Sequence, residues 1–352
     1  MTTALKSAGG AFIKSHGGVR ADQYAHYHGR DGMGVVDYEG KVYLFGGTVY
    51  TSRRAADSTV AGDIWYTENG TDWILRSTIV VDGSGMPSDN VISPRTHPAL
   101  VVRGPGMVIH SGYGGDGTDA WLCGDGIGRV WAPYVGPGLS GARHYNNISP
   151  TLTSINKLTV TGGGGVGYLR GNRYPNAFSN WEYQDTLFTS PAPPQYYAAA
   201  ELNGNIYLTG GYIISGSTAT YYNNTYVSSD GLTFTRISGN YTPCAKHAML
   251  SMDGALYIIA YIAAGASGEY GTNEVWKSTN GTTWTKLTDT PEFPMRYQFS
   301  ACVFDDKLWI FGGSRPVYDR MKHPAYADVW YSSDGETWAE AVRYAPWGRR
   351  AA

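Results

Sequence analysis

Charged side chains are scarce in this chain of 352 residues. Asp, Glu, Lys and Arg together make up 16% of the sequence, and the formal net charge at pH 7 is −2. A general nucleic-acid-binding surface normally carries an excess of basic residues. The charge balance therefore excludes nucleic acid as the expected partner.

Cysteine and long apolar runs are also in short supply. The three cysteines, Cys123, Cys244 and Cys302, are odd in number and widely spaced, which argues against a disulfide framework. Cys302 lies in an apolar run and is predicted to be a small core residue. No apolar run approaches the length of a membrane-spanning helix, and the first ten residues lack the apolar segment of a signal peptide. We expect a chain made in the cytoplasm without a signal peptide and without membrane insertion.

Glycine and tyrosine, in contrast, are abundant. The sequence holds 47 Gly and 28 Tyr. Gly suits tight turns and Tyr suits half-buried strands, so the balance predicts an all-β chain with many turns. A surface rich in Tyr and poor in charge also suits the binding of carbohydrate or protein, because Tyr offers an apolar ring with a polar tip.

One pattern recurs six times along the chain. Each copy has an apolar strand, a two-residue turn, a second apolar strand ending near Gly-Gly, and an aromatic third strand. The positions of the Gly-Gly mark are 46–47, 114–115, 162–163, 210–211, 260–261 (Ala-Tyr in this copy) and 312–313. An insertion is predicted at 82–90, where the first two marks stand further apart.

The turn after the third strand is equally regular. In the last copy it contains Ser333-Asp334-Gly335 and is followed by Trp338. Asp-Gly and Asn-Gly pairs accept positive φ, so they close hairpins. Related turns stand at 67–73, 228–234, 278–284 and 332–338. A period of about 50 residues with four short strands is typical of a propeller blade.

This pattern resembles the kelch-repeat family over roughly residues 30–342, and its hairpins resemble the Asp-box turns of sialidases and related propellers. The resemblance implies an all-β, six-bladed kelch-like β-propeller of four-stranded antiparallel blades. We predict an N-terminal arm or leader at 1–29, the propeller at 30–342, and a C-terminal tail at 343–352 beside the first blade. The tail carries Ala345-Pro346-Trp347, which looks like the lead-in to a further copy.

The lead-in to the first strand of each copy carries most of the candidate ligand-binding residues. The cations Arg30, Arg95, Arg143, Lys246 and Arg296 precede five of the six first strands, and His97, His144 and His247 follow three of them. Innermost strands begin near the channel of a propeller, so these cations would form a ring suited to an anionic ligand. The kelch resemblance lends the matching loops acidic partners. Ion pairs between blades, or hydrogen bonds to loop carbonyls, are the alternative explanation of the repeated arginines, and both interpretations stay open.

Aromatic residues form a second candidate set. Tyr196 and Tyr197 stand at the fourth lead-in, and Tyr221 and Tyr222 precede two asparagines. Rings beside amides suit sugar binding, although such clusters also arise by chance in a chain with 14% aromatic residues.

No metal site and no cofactor are predicted. The imidazoles of His26 and His28 are interpreted as surface groups, since a metal site needs a third ligand. Calcium ligands from the aspartates of 116–125 are the less favoured interpretation of a Gly-rich loop. The glycines at 162–167 follow a strand but precede no helix pattern, so they do not indicate a phosphate loop.

Taken together, these patterns favour a non-enzymatic binding or structural module. The preferred setting is a bacteriophage virion, as a tail, fibre or capsid-surface propeller that recognises a host glycan or docks a partner. Its partners would be an anionic glycan or an acidic protein surface, with other virion proteins contacted through 1–29. The alternative is an enzyme acting on sugar acids, of sialic-acid mutarotase or sialidase-like type, with the cationic pocket as substrate site. An intracellular kelch adaptor is a third possibility. An enzyme should show a carboxylate or Tyr in a perturbed environment at the channel mouth.

Overall fold

The computed structural model describes residues 29–50, 57–76, 92–103, 106–110, 196–215, 218–230, 233–264, 270–316 and 325–348, with short pieces at 5–6, 12–13, 79–80, 112, 120–123, 130–134, 151–152, 157–162, 168–171 and 187–188. The predicted all-β class is confirmed, with several four-stranded antiparallel sheets. Within the described residues the one helical element is a 3-10 turn at Pro346–Gly348. None of their helices has the length and apolar composition needed to span a membrane. The predicted insertion at 82–90 and most of the predicted arm at 1–29 lie outside the described residues.

The first nine strands build sheet 1 and two small sheets. In chain order they are β1 (Leu5–Lys6), β2 (Phe12–Ile13), β3 (Gly29–Asp31), β4 (Gly34–Tyr38), β5 (Lys41–Phe45), β6 (Thr48–Tyr50), β7 (Ser58–Val60), β8 (Ile64–Thr67) and β9 (Ile74–Arg76). Sheet 1 has the order β4-β5-β8-β9, while β3-β6-β7 and β1-β2 form the small sheets.

Sheets 2 and 3 follow. Their strands are β10 (Ile79–Val80), β11 (Ala99–Arg103), β12 (Gly106–His110), β13 (Ala120–Cys123), β14 (Val130–Tyr134), β15 (Thr151–Leu152), β16 (Lys157–Gly162) and β17 (Tyr168–Gly171). Sheet 2 has the order β10-β14-β13-β12-β11, with β10 parallel to β14. Sheet 3 has the order β15-β16-β17 within the described residues.

Sheet 4 repeats the plan of sheet 2. Its strands are β18 (Leu187–Phe188), β19 (Ala198–Leu202), β20 (Asn205–Thr209), β21 (Tyr212–Ser215), β22 (Thr218–Tyr221), β23 (Thr225–Ser228) and β24 (Thr233–Ile237). The order is β18-β24-β23-β20-β19, and β21-β22 form a separate hairpin.

Sheets 5 and 6 are four-stranded antiparallel sheets of consecutive strands. Their strands are β25 (Ala248–Met252), β26 (Ala255–Ala264), β27 (Tyr270–Ser278), β28 (Thr285–Thr288), β29 (Ser300–Phe304), β30 (Lys307–Phe311), β31 (Val329–Ser332) and β32 (Ala339–Val342). In sheet 6 the second strand is almost wholly buried, as its apolar run predicts for a strand covered on both faces.

First strands of successive sheets pack against each other. The contacts join β4 to β11, β11 to β15, β19 to β25, β25 to β29, and β29 back to β4. The first strand of the last sheet therefore lies beside the first strand of the first sheet. The hydrophobic cores fill the spaces between sheets, and one of them combines residues of sheets 6 and 1 with Trp347.

The hairpin turns help to join neighbouring sheets. In sheet 6, Asp334 accepts hydrogen bonds from the backbone N–H groups of Glu336 and Thr337 at 2.8 and 2.9 Å, and Gly335 has φ +82°. A Cβ on Gly335 would lie 2.9 Å from the ring of Tyr257 in sheet 5. The turn glycine thus serves two purposes, positive φ and close approach of two sheets.

The C-terminal segment packs against the hairpin tryptophan of sheet 1. The hairpin tryptophans of sheets 5 and 6 contact an aromatic residue of the linker that precedes their own sheet, as in the edge-on pair of Trp338 and Phe293 at 5.0 Å. Trp73 of sheet 1 contacts Trp347 in the same way, at 6.0 Å. Trp347 is fully buried. Chain that follows sheet 6 therefore supplies an aromatic packing partner for the hairpin tryptophan of sheet 1.

Two sequence alignments are corrected by the strands. In the second copy β12 ends at His110, so the mark corresponds to Ser111-Gly112 and not to Gly114-Gly115; Gly112 has φ +105°, like the second glycine of the other marks. In the fifth copy, which lacks Gly-Gly, β26 and β27 continue as one long hairpin through Ala260 and Tyr261. Without the two positive-φ glycines the strand has no break.

Candidate functional site

Five of the lead-in segments place one residue in the same unusual backbone conformation. Two positions before its first strand, each has a residue with φ between +54° and +60°: Gly32, His97, Tyr196, Lys246 and Gln298. Only one of the five is Gly. A side chain at positive φ is unfavourable unless the surroundings hold it there, so neighbouring groups must stabilise these four.

Backbone hydrogen bonds between sheets hold these residues. The N–H of Lys246 donates to the carbonyl of Tyr196, that of Gln298 to Lys246, that of Gly32 to Gln298, and that of His97 to Gly32, at 2.6 to 3.3 Å. Each bond joins one sheet to the next. The bond from Gly32 to Gln298 joins sheet 1 to sheet 6, so it links the two ends of the chain.

A second series of bonds runs through the glycine marks. The N–H groups of Gly47, Gly211 and Gly313 each donate to the carbonyl of the residue four positions before the next first strand: Arg95, Cys244 and Arg30. In sheet 5, which lacks the mark, the side chain of Asn273 takes over. Its amide nitrogen donates to the carbonyl of Arg296 at 3.1 Å, and its oxygen accepts from the Arg296 N–H at 3.0 Å.

These bonds correct the alignment of Lys246 with the arginines. Arg30, Arg95 and Arg296 each stand four positions before their first strand, whereas Lys246 stands two before β25. Cys244 occupies the arginine position in sheet 5. Lys246 instead shares its position with His97 and the other positive-φ residues.

Arg30 and Arg296 are buried and neutralised within their own sheets. The exposed fraction of each side chain is 1% or less. Arg296 reaches both oxygens of Asp328 at 2.6 and 2.8 Å and the carbonyl of Gly312 at 2.9 Å. Arg30 makes the same contacts with Asp63 and the carbonyl of Gly46. The structural role that the sequence left open therefore describes these two arginines, although their ion pairs lie within one sheet and not between sheets.

Two more of the predicted arginines and histidines, Arg95 and His247, are buried. Arg95 is fully buried, and its Nε donates to the carbonyl of Ser93 at 3.0 Å. His247 is buried with its Nε2 at 3.1 Å from the Thr209 hydroxyl, and burial lowers its pKa to about 3. Arg143 and His144 lie outside the described residues.

Lys246 lies between two tyrosine rings. Its Nζ stands 5.0 Å from the ring centre of Tyr196 and 5.5 Å from that of Tyr297. In the described part of the chain no carboxylate oxygen lies within 4.0 Å of this ammonium group. Burial lowers the pKa of Lys246, although the charge of Asp31 opposes the shift. The side chain is only half-buried, so a ligand has access to a cation stabilised mainly by aromatic faces.

Asp31 adds a buried carboxyl beside this cation. Only 3% of the residue is exposed. Tyr50 donates to its Oδ2 at 3.0 Å, and the Ser314 hydroxyl donates to the same oxygen. Burial raises the pKa of Asp31, while these hydrogen bonds, one from Thr48, and the charge of Lys246 oppose the rise. The sequence did not indicate Asp31, Tyr50, Tyr297, Gln298 or Ser314 as site residues, because no repeated motif marks them.

His97 and Gln298 are the remaining members of this group of side chains. The Nε2 of His97 lies 3.3 Å from the amide nitrogen of Gln298, and its Nδ1 lies 3.0 Å from the Thr96 hydroxyl. Burial, followed by the charge of Lys246, lowers the pKa of His97 to about 4. The imidazole is therefore neutral at pH 7 and offers one donor and one acceptor.

We call Asp31, Tyr50, His97, Tyr196, Lys246, Tyr297, Gln298 and Ser314 the axial cluster. Of the other predicted tyrosines, Tyr221 adjoins this cluster through Tyr212. Tyr212 stacks on Tyr196 at 5.0 Å and contacts Tyr221 at 5.5 Å, and Tyr221 is 45% exposed. Tyr197 is buried, and Tyr222 is half-buried with its carbonyl accepting a hydrogen bond from the Cys244 N–H at 3.2 Å. The structure thus brings together Tyr196, Tyr221, His97 and Lys246 from the predicted set.

The axial cluster is suited to hydrogen bonding rather than to metal binding. Its groups are one ammonium, one carboxyl, one imidazole, one amide and several hydroxyls. Across the described residues, no group of three or more His, Cys, Asp or Glu side chains is arranged to hold a metal ion. No protein-family model matches this chain, and no curated protein is similar to it at a significant level.

Proposed function

We propose that the chain is a six-bladed kelch-like β-propeller that binds a ligand at one end of its axis. Consecutive four-stranded sheets, contacts between successive first strands, and the bonds from sheet 6 to sheet 1 support this architecture. The lead-in segments, the glycine marks and the starts of the third strands all lie at one end of the antiparallel sheets. In a propeller that end carries the axial cluster.

The ligand that fits the axial cluster is a glycan with an acidic group. Lys246 is the observation that carries this proposal, because it is a half-buried ammonium placed between tyrosine rings without a carboxylate in contact. Such a group gains a charge-assisted hydrogen bond when it meets a carboxylate, phosphate or sulfate. Hydroxyl, amide and imidazole groups around it match the hydroxyls of a sugar, and the exposed ring of Tyr221 offers an apolar face.

The test is a binding screen with acidic and neutral oligosaccharides, followed by titration of the best acidic one. Lys246→Gln should weaken its binding by about tenfold to a hundredfold, the range expected for loss of a charge-assisted hydrogen bond. Lys277→Gln is the matched control, since Lys277 also lies over a tyrosine ring, that of Tyr257, at 5.1 Å, outside the axial cluster. Preference for neutral glycans, or equal loss in both variants, would contradict the proposal.

A second candidate is an enzyme acting on sugar acids, and Asp31 favours it. A buried carboxyl with a raised pKa beside tyrosines and a lysine is a suitable acid or base. Asp31→Asn should then abolish turnover of a sialic acid, followed as anomer exchange by NMR, while binding remains. If the wild-type chain binds acidic sugars without turnover, the binding module is favoured over the enzyme.

The setting proposed for this module is a virion surface, with an acidic protein surface as the other partner class. Low charge and abundant Gly and Tyr support this setting. The test of this setting is detection of the chain in purified virions. Absence of the chain from virions would contradict the setting without affecting the proposal for the axial cluster.

A further inference from the structure

A cleft of about 640 Å³ opens between sheets 5 and 6, separate from the axial cluster. Its lining includes residues of the linker from Pro291 to Met295, Arg315 and Tyr326 of the sheet 6 region, and Thr272 near the start of β27. This volume is typical of small-molecule sites.

Two arginines in this region share one aromatic ring but differ in their partners. The guanidinium carbon of Arg296 lies 4.3 Å from the centre of the Tyr326 ring, and that of Arg315 lies 3.8 Å from it. Asp328 and the Gly312 carbonyl saturate Arg296. Arg315 has a buried Nε without a hydrogen-bond partner, and no carboxylate of the described residues lies within 4.0 Å of its nitrogens.

An unpaired cation held in place by an aromatic ring favours an anionic ligand. Arg315 is half-buried and lines the cleft, so a carboxylate bound there can meet the accessible part of its guanidinium. A guanidinium and a carboxylate match each other in charge and in planar geometry. Stacking on Tyr326 holds the fork in one orientation, so less side-chain entropy is lost on binding.

Much of the remaining lining is apolar, although Thr272, Asn273, Asp289 and Thr290 also contribute to it. Pro291, Pro294 and Pro316 line it, and Met295 is 38% exposed there. The rings of Phe293 and Tyr326 are buried, so neither offers a free face on which a sugar would stack. The lining therefore suits an apolar body rather than a carbohydrate.

We propose that this cleft binds a small carboxylic acid with an apolar body, with the carboxylate on Arg315 and the body between the proline rings and Met295. Asp289 also lines the cleft, with its Oδ2 4.0 Å from the Nζ of Lys286, and its carboxylate would repel such a ligand. The site is independent of the axial cluster, because none of its residues belongs to that group.

The test uses 3-phenylpropanoate as the probe, with calorimetric titration of the full chain. We expect a dissociation constant on the order of 1 mM, as is usual for a ligand of this size. The uncharged 3-phenylpropanamide should bind at least about tenfold more weakly, since it lacks the charge-assisted pair. Acetate should also bind more weakly, because it lacks the apolar body.

Variants locate the site. Arg315→Gln should weaken the binding of 3-phenylpropanoate by at least about tenfold, whereas Arg343→Gln, at an exposed arginine of the last sheet, should leave it unchanged. Asp289→Asn should strengthen binding by about twofold to threefold, since it removes a like charge. Equal binding of the amide, or an unchanged affinity in Arg315→Gln, would overturn the proposal. Lys246→Gln should have no effect here, which separates this result from the axial site.

Discussion

Arg296 and Asp328 form a planar, two-point ion pair within sheet 6, and Arg30 and Asp63 repeat it in sheet 1. In both sheets the same carboxylate also accepts a hydrogen bond from a tryptophan two residues later. The pair ties the lead-in segment to the third strand of its own sheet. Its charges are neutralised inside the protein, so these arginines add stability and order rather than charge at the surface.

Removal of one partner should therefore be costly. Asp328→Asn leaves the guanidinium of Arg296 buried without its counter-charge, and we expect a loss of about 3–5 kcal/mol in the free energy of unfolding. Chemical denaturation followed by tryptophan fluorescence measures this loss. Asp305→Asn is the control, because Asp305 is 70% exposed in its pair with Lys307 and such pairs add little. A similar, small effect of both variants would show that the buried pair is unimportant.

The two neutral histidines predict a loss of stability in acid. Their pKa values in the folded chain, about 4 for His97 and about 3 for His247, lie below the ordinary value of 6.5. Between these values the unfolded chain binds more protons than the folded chain. The contribution of the histidines to the free energy of unfolding is therefore fully present above about pH 6.5 and falls as the pH is lowered. Each histidine contributes at most about 1.4 kcal/mol per pH unit.

His247→Phe isolates one of these contributions. Phe299 occupies the same position in sheet 6, directly before the first strand, so the ring is compatible with this environment. The variant should lose less stability than the wild-type chain between pH 6.5 and 4.5, measured as the midpoint of urea unfolding. An unchanged pH dependence would mean that His247 does not stay neutral in the folded chain.

At the scale of strands and turns, much of the fold was predictable. Asn203-Gly204 and Asp253-Gly254 located hairpins between first and second strands because few other residues accept positive φ in both turn positions. Apolar runs located the second strands, such as β30, because strands covered on both faces admit few polar residues. These signals are local, and local signals are visible in a sequence.

The axial cluster was predictable only in part, since its positions depend on contacts between sheets. Lys246 and Tyr196 have positive φ because backbone bonds from neighbouring sheets hold them there, and no residue preference indicates this. Asn273 replaces a glycine mark through side-chain hydrogen bonds, which a search for Gly-Gly misses. The sequence does not distinguish a buried arginine from an exposed one, so the role of Arg296 could be assigned only once the position of Asp328 was known.

The C-terminal segment gives a prediction at this scale. Trp347→Ala removes a fully buried ring that packs against Trp73, and we expect a loss of about 3–5 kcal/mol. Differential scanning calorimetry measures it as a lower melting temperature. Pro346→Ala, at an exposed neighbouring residue, should change the melting temperature little. An unchanged melting temperature in Trp347→Ala would show that the tail is not part of the fold.

For the molecule as a whole, the important contacts are those between sheets 6 and 1. The Gly32 N–H donates to Gln298, the Gly313 N–H donates to Arg30, and the turn glycine Gly70 lies against the ring of Trp309. Residues from both ends of the chain also build the axial cluster, since Ser314 donates to Asp31. In the proposed propeller, closure of the ring and formation of the binding site are one event.

Native-state hydrogen exchange tests this central claim most directly. Two amides, Gly32 and Gly313, bridge sheets 6 and 1, while Gly47 and His97 bridge sheets 1 and 2 in the same way. We predict that all four exchange at similarly slow rates, because a closed ring opens them together with the rest of the sheets. Exchange of Gly32 and Gly313 that is faster by orders of magnitude than that of Gly47 and His97 would contradict closure, and with it the axial site.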